Sequence, residues 1–97
     1  MTDSNSEKIT HNEDAGRFEI EVEGHRGVLE YTLEGDIASM NHVGVPKAIG
    51  GRGIAGDLTR HALDWAESNG YRVRDRCPYV AAWIKRHPDY QHLLASN

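Results

Sequence analysis

A chain of 97 residues is long enough for one small domain and too short for two. Its formal net charge of −4 argues against a nucleic-acid binder, and no apolar run approaches the roughly 18 residues needed to cross a bilayer. The polar start lacks the apolar stretch of a signal peptide, and the single cysteine, Cys77, excludes an internal disulfide. We therefore expect a cytoplasmic protein.

The first half of the chain predicts a polar tail followed by strands. Residues 1–16 have little to bury and are expected to form a flexible tail, so the domain is predicted to span residues 17–97. Alternating apolar residues predict two strands joined by a hairpin at residues 24–27, and a third strand over residues 36–45. Gly44 marks a bulge or a close backbone approach in that third strand.

The second half predicts helices around one more strand. Apolar residues at helical spacing predict a helix from Ile54 that is closed by Asn69 and Gly70. A short fourth strand follows at residues 71–74, and a second helix at residues 79–87 is stopped by Pro88. The order β-β-β-α-β-α predicts an α+β fold, with a small mixed and mostly antiparallel sheet and two helices.

Four glycines lie in the segment IGGRGIAG at residues 49–56, which leads into the first predicted helix. A helix N-terminus presents unpaired N–H groups and the positive end of the helix dipole, and glycine lets a ligand approach the backbone. The loop therefore predicts a phosphate site, although glycines also serve tight turns that bind nothing. A P-loop is excluded because no G-K-[ST] follows.

Gly51, Gly53 and Gly56 also spell the dinucleotide motif G-x-G-x-x-G, and Asp75 lies near the distance at which that fold grips a ribose. A dinucleotide domain needs parallel strands joined by helices. The first half of this chain is predicted to form hairpin-linked strands, so we interpret the match to the dinucleotide motif as a coincidence of spacing.

Strand, glycine loop and helix together resemble the cofactor-binding core of the GNAT superfamily of N-acetyltransferases. The signature [QR]-x-x-G-x-[GA] falls on residues 50–55, and the segment RCPYVAAWIKRHPDYQHLL resembles a compact subgroup of that superfamily. The resemblance covers roughly residues 17–94 and implies a minimal GNAT-like fold that binds acyl-coenzyme A. In one departure, Gly50 stands where the signature has Gln or Arg.

The resemblance implies an acetyl-coenzyme A-dependent N-acetyltransferase, an acyltransferase whose acceptor is an amine of a small molecule or a peptide. Its pyrophosphate is expected on the loop N–H groups, with the Arg52 charge beside it, and its pantetheine arm along the third strand as an added strand. The predicted cofactor-binding residues are Val43, Gly44, Val45, Gly50, Gly51, Arg52, Gly53, Ile54, Ala55, Gly56, Cys77 and Tyr79.

Cys77 and His42 are the candidate catalytic residues. Arg74 and Arg76 flank Cys77 and favour its thiolate, so Cys77 is expected to carry the acetyl group or to protonate the departing coenzyme A. His42 lies on the third strand, and an imidazole titrates near neutral pH, which suits a general base. The alternatives stay open, because a lone cysteine is often a small buried hydrophobe and a strand histidine is often structural.

The remaining histidines lack the spacing of metal ligands, so no metal is predicted. Two other functions stay open. The first is a non-catalytic acyl-coenzyme A-binding or sensing protein that acts through a partner, because few residues remain to build an acceptor site. The second is an interaction module whose glycine loop binds nothing. We expect neither nucleic acid nor a membrane as partner, and a monomer or a weak homodimer.

Overall fold

A computed structural model describes residues 4–95. One five-stranded sheet runs in the order β1 (Thr10–Asn12), β2 (Arg17–Val22), β3 (His25–Glu34), β4 (Ile37–Gly44) and β5 (Arg72–Asp75). Neighbouring strands are antiparallel except β4 and β5, which are parallel. The helices are α1 (Ser4–Lys8), α2 (Ile54–Ser68) and α3 (Pro78–Arg86), and 3₁₀ turns lie at Lys47–Ile49 and Pro88–Leu93. The predicted α+β class with a mostly antiparallel sheet is confirmed.

The core lies between α2 and one face of the sheet. A Cβ atom added at Gly27 in β3 would lie 3.3 Å from a methyl carbon of Ile54 and 3.6 Å from one of Leu58. This close approach shows that α2 covers the sheet face to which Gly27 belongs. The same face carries the buried side chains of the neighbouring strand positions, namely Phe18, Ile20, Val22, Leu29, Tyr31 and Met40.

The β2–β3 hairpin is confirmed, but its turn is not the predicted one. The turn consists of Glu23 and Gly24, whose φ angles are +53° and +79°. Two consecutive residues with positive φ match the right-handed twist of the flanking strands, so two residues suffice for the connection. Residues 25–27, predicted to lie in the turn, belong to β3.

β4 contains a bulge at Asn41 rather than at Gly44. Glu30 pairs with His42 and Tyr31 with Met40, which leaves Asn41 without a partner residue in β3. Gly44 instead marks a close approach: a Cβ atom there would lie 2.9 Å from His42 Nε2, so the imidazole lies directly over this glycine.

The structure also corrects the prediction of a flexible tail, for residues 4–16; residues 1–3 lie outside the described range. β1 pairs with β2, and Ile9 is 8% exposed and belongs to the core. The His11 ring stacks on Phe18 with centroids 4.0 Å apart. One apolar residue and one stacked imidazole thus fix this polar segment to the core. The sequence did not predict β1 because the segment shows no alternation of apolar and polar residues.

Candidate cofactor and active site

β4 and β5 separate part-way along their length and leave a gap. Their pairing ends at Met40 and Asp75, and the Cys77 N–H closes it by donating to the Met40 carbonyl oxygen at 2.9 Å. Beyond Met40, β3 is the one neighbour of β4 among the described strands. The edge of β4 over residues 41–44, together with Val45 directly after it, forms a segment that is therefore free to accept an extended ligand as an added strand. Val43, Gly44 and Val45, predicted to contact pantetheine, lie on this segment.

The glycine loop connects β4 to the N-terminus of α2. Buried Ile49 fixes the loop to the core, while Gly51 and Gly53 have φ angles of +75° and +76°. The first helical bond runs from the Asp57 N–H to the Gly53 carbonyl at 3.0 Å. The N–H groups that precede it, on Ile54, Ala55 and Gly56, have no acceptor among the atoms that the structure describes. Such donors at the positive end of a helix suit an anion.

Arg52 supplies the guanidinium of the glycine loop, and this group forms an ion pair with Glu23. Both terminal nitrogens donate to the Glu23 carboxylate, at 3.1 and 3.2 Å. This pairing lowers the pKa of Glu23 and raises that of Arg52. The predicted contribution of Arg52 to phosphate binding thus requires that a phosphate compete with Glu23 for the guanidinium. Gly50, at the signature position of Gln or Arg, is exposed and extended.

The N-terminal helix contributes a contact to this loop that the sequence did not predict. The Asn5 amide of α1 donates to the Arg52 carbonyl at 3.0 Å and to Asp57 Oδ2 at 2.9 Å. Asn5 therefore ties the peptide between Gly51 and Gly53 to the first turn of α2. Asn5 lies 47 positions before Arg52 and 52 positions before Asp57, so no local sequence signal predicts these contacts.

Three polar groups of α2 and α3 lie beside the same helix terminus. A Cβ atom at Gly56 would lie 3.5 Å from both the Tyr79 hydroxyl and Trp83 Nε1. One turn further along α2, the Arg60 guanidinium carbon lies 5.3 Å from the centre of a Trp83 ring. Tyr79 was predicted here, but Arg60 and Trp83 were not. The sequence signal for Arg60 is its i+4 spacing from Gly56, and that for Trp83 is its i+4 spacing from Tyr79; each spacing places the two residues on one helix face.

Cys77 and His42, the two predicted catalytic residues, lie in different environments. Cys77 immediately precedes α3, and its side chain is buried in the core at 6% exposure. His42 is exposed and pairs with Glu30, on the sheet face opposite α2. Within residues 4–95 no hydrogen bond joins the two side chains. The two side chains therefore form no hydrogen-bonded cysteine–histidine pair.

Comparison with known proteins identifies the family. Residues 17–93 match the family model described as GCN5-related N-acetyl-transferase. The chain belongs to the GCN5-related N-acetyltransferase family. It is 33% identical over 89 residues to Protein NATD1 of Bos taurus, covering 89% of this chain and 79% of that protein. It is 30% identical over 96 residues to Protein NATD1 of Xenopus tropicalis, covering 96% and 88%.

The fold of this GCN5-related chain matches that of a solved relative. An NMR structure of a GCN5-like protein from Staphylococcus aureus superposes with a TM-score of 0.71 at 19% identity, covering 92% of this chain and 88% of that one. Family members use acetyl-coenzyme A to acetylate amines. Within the described range, no three His, Cys, Asp or Glu side chains cluster closely enough to hold a metal ion. No helix of residues 4–95 is long and apolar enough to cross a membrane.

Proposed function

We propose that this chain binds acetyl-coenzyme A between the glycine loop and the free edge of β4, and transfers the acetyl group to an amine. The observation that carries the proposal is that the glycine loop connects two unpaired backbone surfaces along the chain. Unpartnered N–H groups at the start of α2 suit the pyrophosphate, and the open edge of β4 at residues 41–44 suits the amide-bearing pantetheine arm.

The gap between β4 and β5 ends at Met40 and Cys77, so a ligand strand laid from the loop along β4 leads toward this point. Acetyl-coenzyme A supplies the thioester that is cleaved. We assign Cys77, whose backbone N–H closes the gap, the role of donating a proton to the departing thiolate or of accepting the acetyl group. We assign His42, which is exposed on the sheet face opposite α2, the role of taking a proton from an amine that approaches from that side.

The surroundings of His42 favour a cationic acceptor. Glu30 is the cross-strand partner of His42, while Arg17 lies opposite Glu30 on β2 and forms an ion pair with Glu19. A carboxylate beside the base attracts a protonated amine before that amine loses its proton for attack. Polyamines and lysine side chains are the acceptors that match this charge.

Release of free coenzyme A thiol from acetyl-coenzyme A in the presence of spermidine or a lysine peptide tests the proposal. We expect amine-dependent release, with acetylated amine detected by mass spectrometry. Cys77→Ala and His42→Ala are expected to slow turnover while coenzyme A still binds. His25→Ala, another exposed histidine of the sheet, is the matched control and is expected to retain activity.

The outcomes separate the candidate functions. An acetyl group found on Cys77 favours a covalent intermediate, and turnover without it favours direct transfer. Tight binding of acetyl-coenzyme A without turnover on any amine would reject the enzyme and favour a non-catalytic sensor. Absence of binding would reject both, and the glycine loop would then be a turn only.

A further inference from the structure

A second cleft, of about 520 Å³, opens at the opposite end of α2 from the glycine loop. The turn between β1 and β2 forms one side of it, β3 forms its floor, and the last turn of α2 forms the other side. α2 has 15 residues and is therefore about 22 Å long. The cleft shares none of its lining residues with the site proposed for acetyl-coenzyme A.

Three aromatic rings line this cleft. The Trp65 ring lies 4.8 Å from that of Tyr31 and 5.2 Å from that of Tyr71, measured between centroids. The rings are inclined to one another by 41° and 63°. Trp65 and Tyr71 are only partly buried, so aromatic surface remains open to a ligand. Aromatic faces carry negative potential and attract cations, and methylated ammonium groups in particular, which keep little hydration.

The charges around the rings have the sign that a cation requires. Glu13 and Asp14 stand at the rim, and none of the described residues that line the cleft is a lysine or arginine. The last turn of α2 also carries no basic residue, so no cation of that turn offsets the negative end of the helix dipole. The neighbouring imidazole of His11 does not neutralise Glu13 at neutral pH, because burial lowers the pKa of His11.

We propose that this cleft binds a methylated ammonium group, with Trp65 and Tyr71 contacting the methyl groups and Glu13 and Asp14 compensating the charge. The site is separate from acetyl transfer and does not depend on it. The ammonium group belongs either to a small metabolite or to a methylated lysine side chain, and these two sources share the chemistry that the cleft recognises.

Choline is a direct probe, because 3,3-dimethylbutan-1-ol has the same shape without the charge. In ¹⁵N-labelled full-length protein, the indole N–H of Trp65 reports on the cleft and that of Trp83 serves as an internal control. We expect choline chloride to shift the Trp65 signal saturably, beyond the effect of equal potassium chloride, while Trp83 stays in place. The neutral alcohol is expected to bind about tenfold more weakly.

Variants at exposed positions test the residues without endangering the fold. Glu13→Gln combined with Asp14→Asn is expected to weaken choline binding several-fold, and Tyr71→Leu likewise. Glu21→Gln, which removes an exposed carboxylate outside the cleft, is the matched control and is expected to bind as the unaltered protein does.

Comparing choline with a trimethyllysine peptide identifies the source. Tighter binding of the peptide assigns the site to a protein ligand, and tighter binding of choline assigns it to a small metabolite. Equal shifts with choline and the neutral alcohol would overturn the proposal, as would a Trp65 signal that does not move. Unchanged affinity in the Glu13→Gln, Asp14→Asn double variant would also overturn it.

Discussion

Gly53→Ala, compared with a control variant, distinguishes two roles of the glycine loop: adopting a backbone conformation with positive φ, and binding the phosphates of coenzyme A. Gly53 precedes α2 with a φ of +76°, and no atom lies within 4 Å of the position its Cβ would take. The cost in the free protein is therefore backbone strain without a clash, about 1–2 kcal/mol. For a domain of this size, each kcal/mol lowers Tm by about 4–8 °C.

Gly70→Ala is the matched control at the other end of the same helix. Gly70 has a φ of +75°, and its Cβ position is equally free of neighbours. Both variants are therefore expected to lose a similar amount of stability. Only at Gly53 does the added methyl group stand beside the unpartnered N–H groups that a phosphate must approach.

Thermal unfolding with and without coenzyme A measures both effects. At a ligand concentration of about 100 times Kd, binding stabilises the protein by about 2.7 kcal/mol. At about 4–8 °C per kcal/mol, this stabilisation raises Tm by about 10–20 °C. We expect the unaltered protein and Gly70→Ala to show this rise, and Gly53→Ala to lose most of it. A full coenzyme A-induced rise in Tm in Gly53→Ala would refute the placement of the phosphates on this loop. An equal loss of that rise in Gly53→Ala and Gly70→Ala would show that the effect is not specific to the loop.

Three further predictions follow from single contacts. Glu23→Gln frees the Arg52 guanidinium from its carboxylate and is expected to tighten coenzyme A binding in calorimetric titration; unchanged affinity would mean that Arg52 does not reach the ligand. Gly44→Ala displaces the imidazole of His42, whose Nε2 lies where the new methyl would be, and is expected to lower kcat while the fold persists. An unaltered kcat would remove His42 from catalysis. Burial lowers the pKa of His11 below 6.5, so the unfolded state takes up its proton first. The free energy of unfolding is therefore expected to fall as pH drops below about 6.5. Urea unfolding is expected to show a weaker pH dependence in His11→Asn, and an unchanged pH dependence would contradict this reasoning.

The elements with strong local signals could be predicted from the sequence. α2 begins at Ile54 because glycines end the preceding loop and the apolar stripe starts there, and Gly70 closes it with a φ of +75°. The β2–β3 hairpin follows from alternation. The glycine loop was identified for the same reason, because positive φ angles require residues that are visible in the sequence.

Features that depend on long-range contacts could not be predicted. The bulge at Asn41 could not be predicted, because it depends on the register in which β4 pairs with β3. The pairing of Arg52 with Glu23 joins residues 29 positions apart, so its effect on the charge of the loop was invisible. β1 escaped notice because a strand of three residues needs only pairing with β2 and one stacked ring to form.

Titration of ¹⁵N-labelled protein with acetyl-coenzyme A, followed by NMR, tests the proposed binding site most directly. The amide signals of residues 51–56 and 41–45 are expected to shift together and saturably, because the loop and the open edge of β4 bind one molecule. Backbone signals elsewhere on the sheet, including those of β1, are expected to move little. Saturable shifts that leave both segments unmoved would contradict the site, and no shift at all would contradict the cofactor.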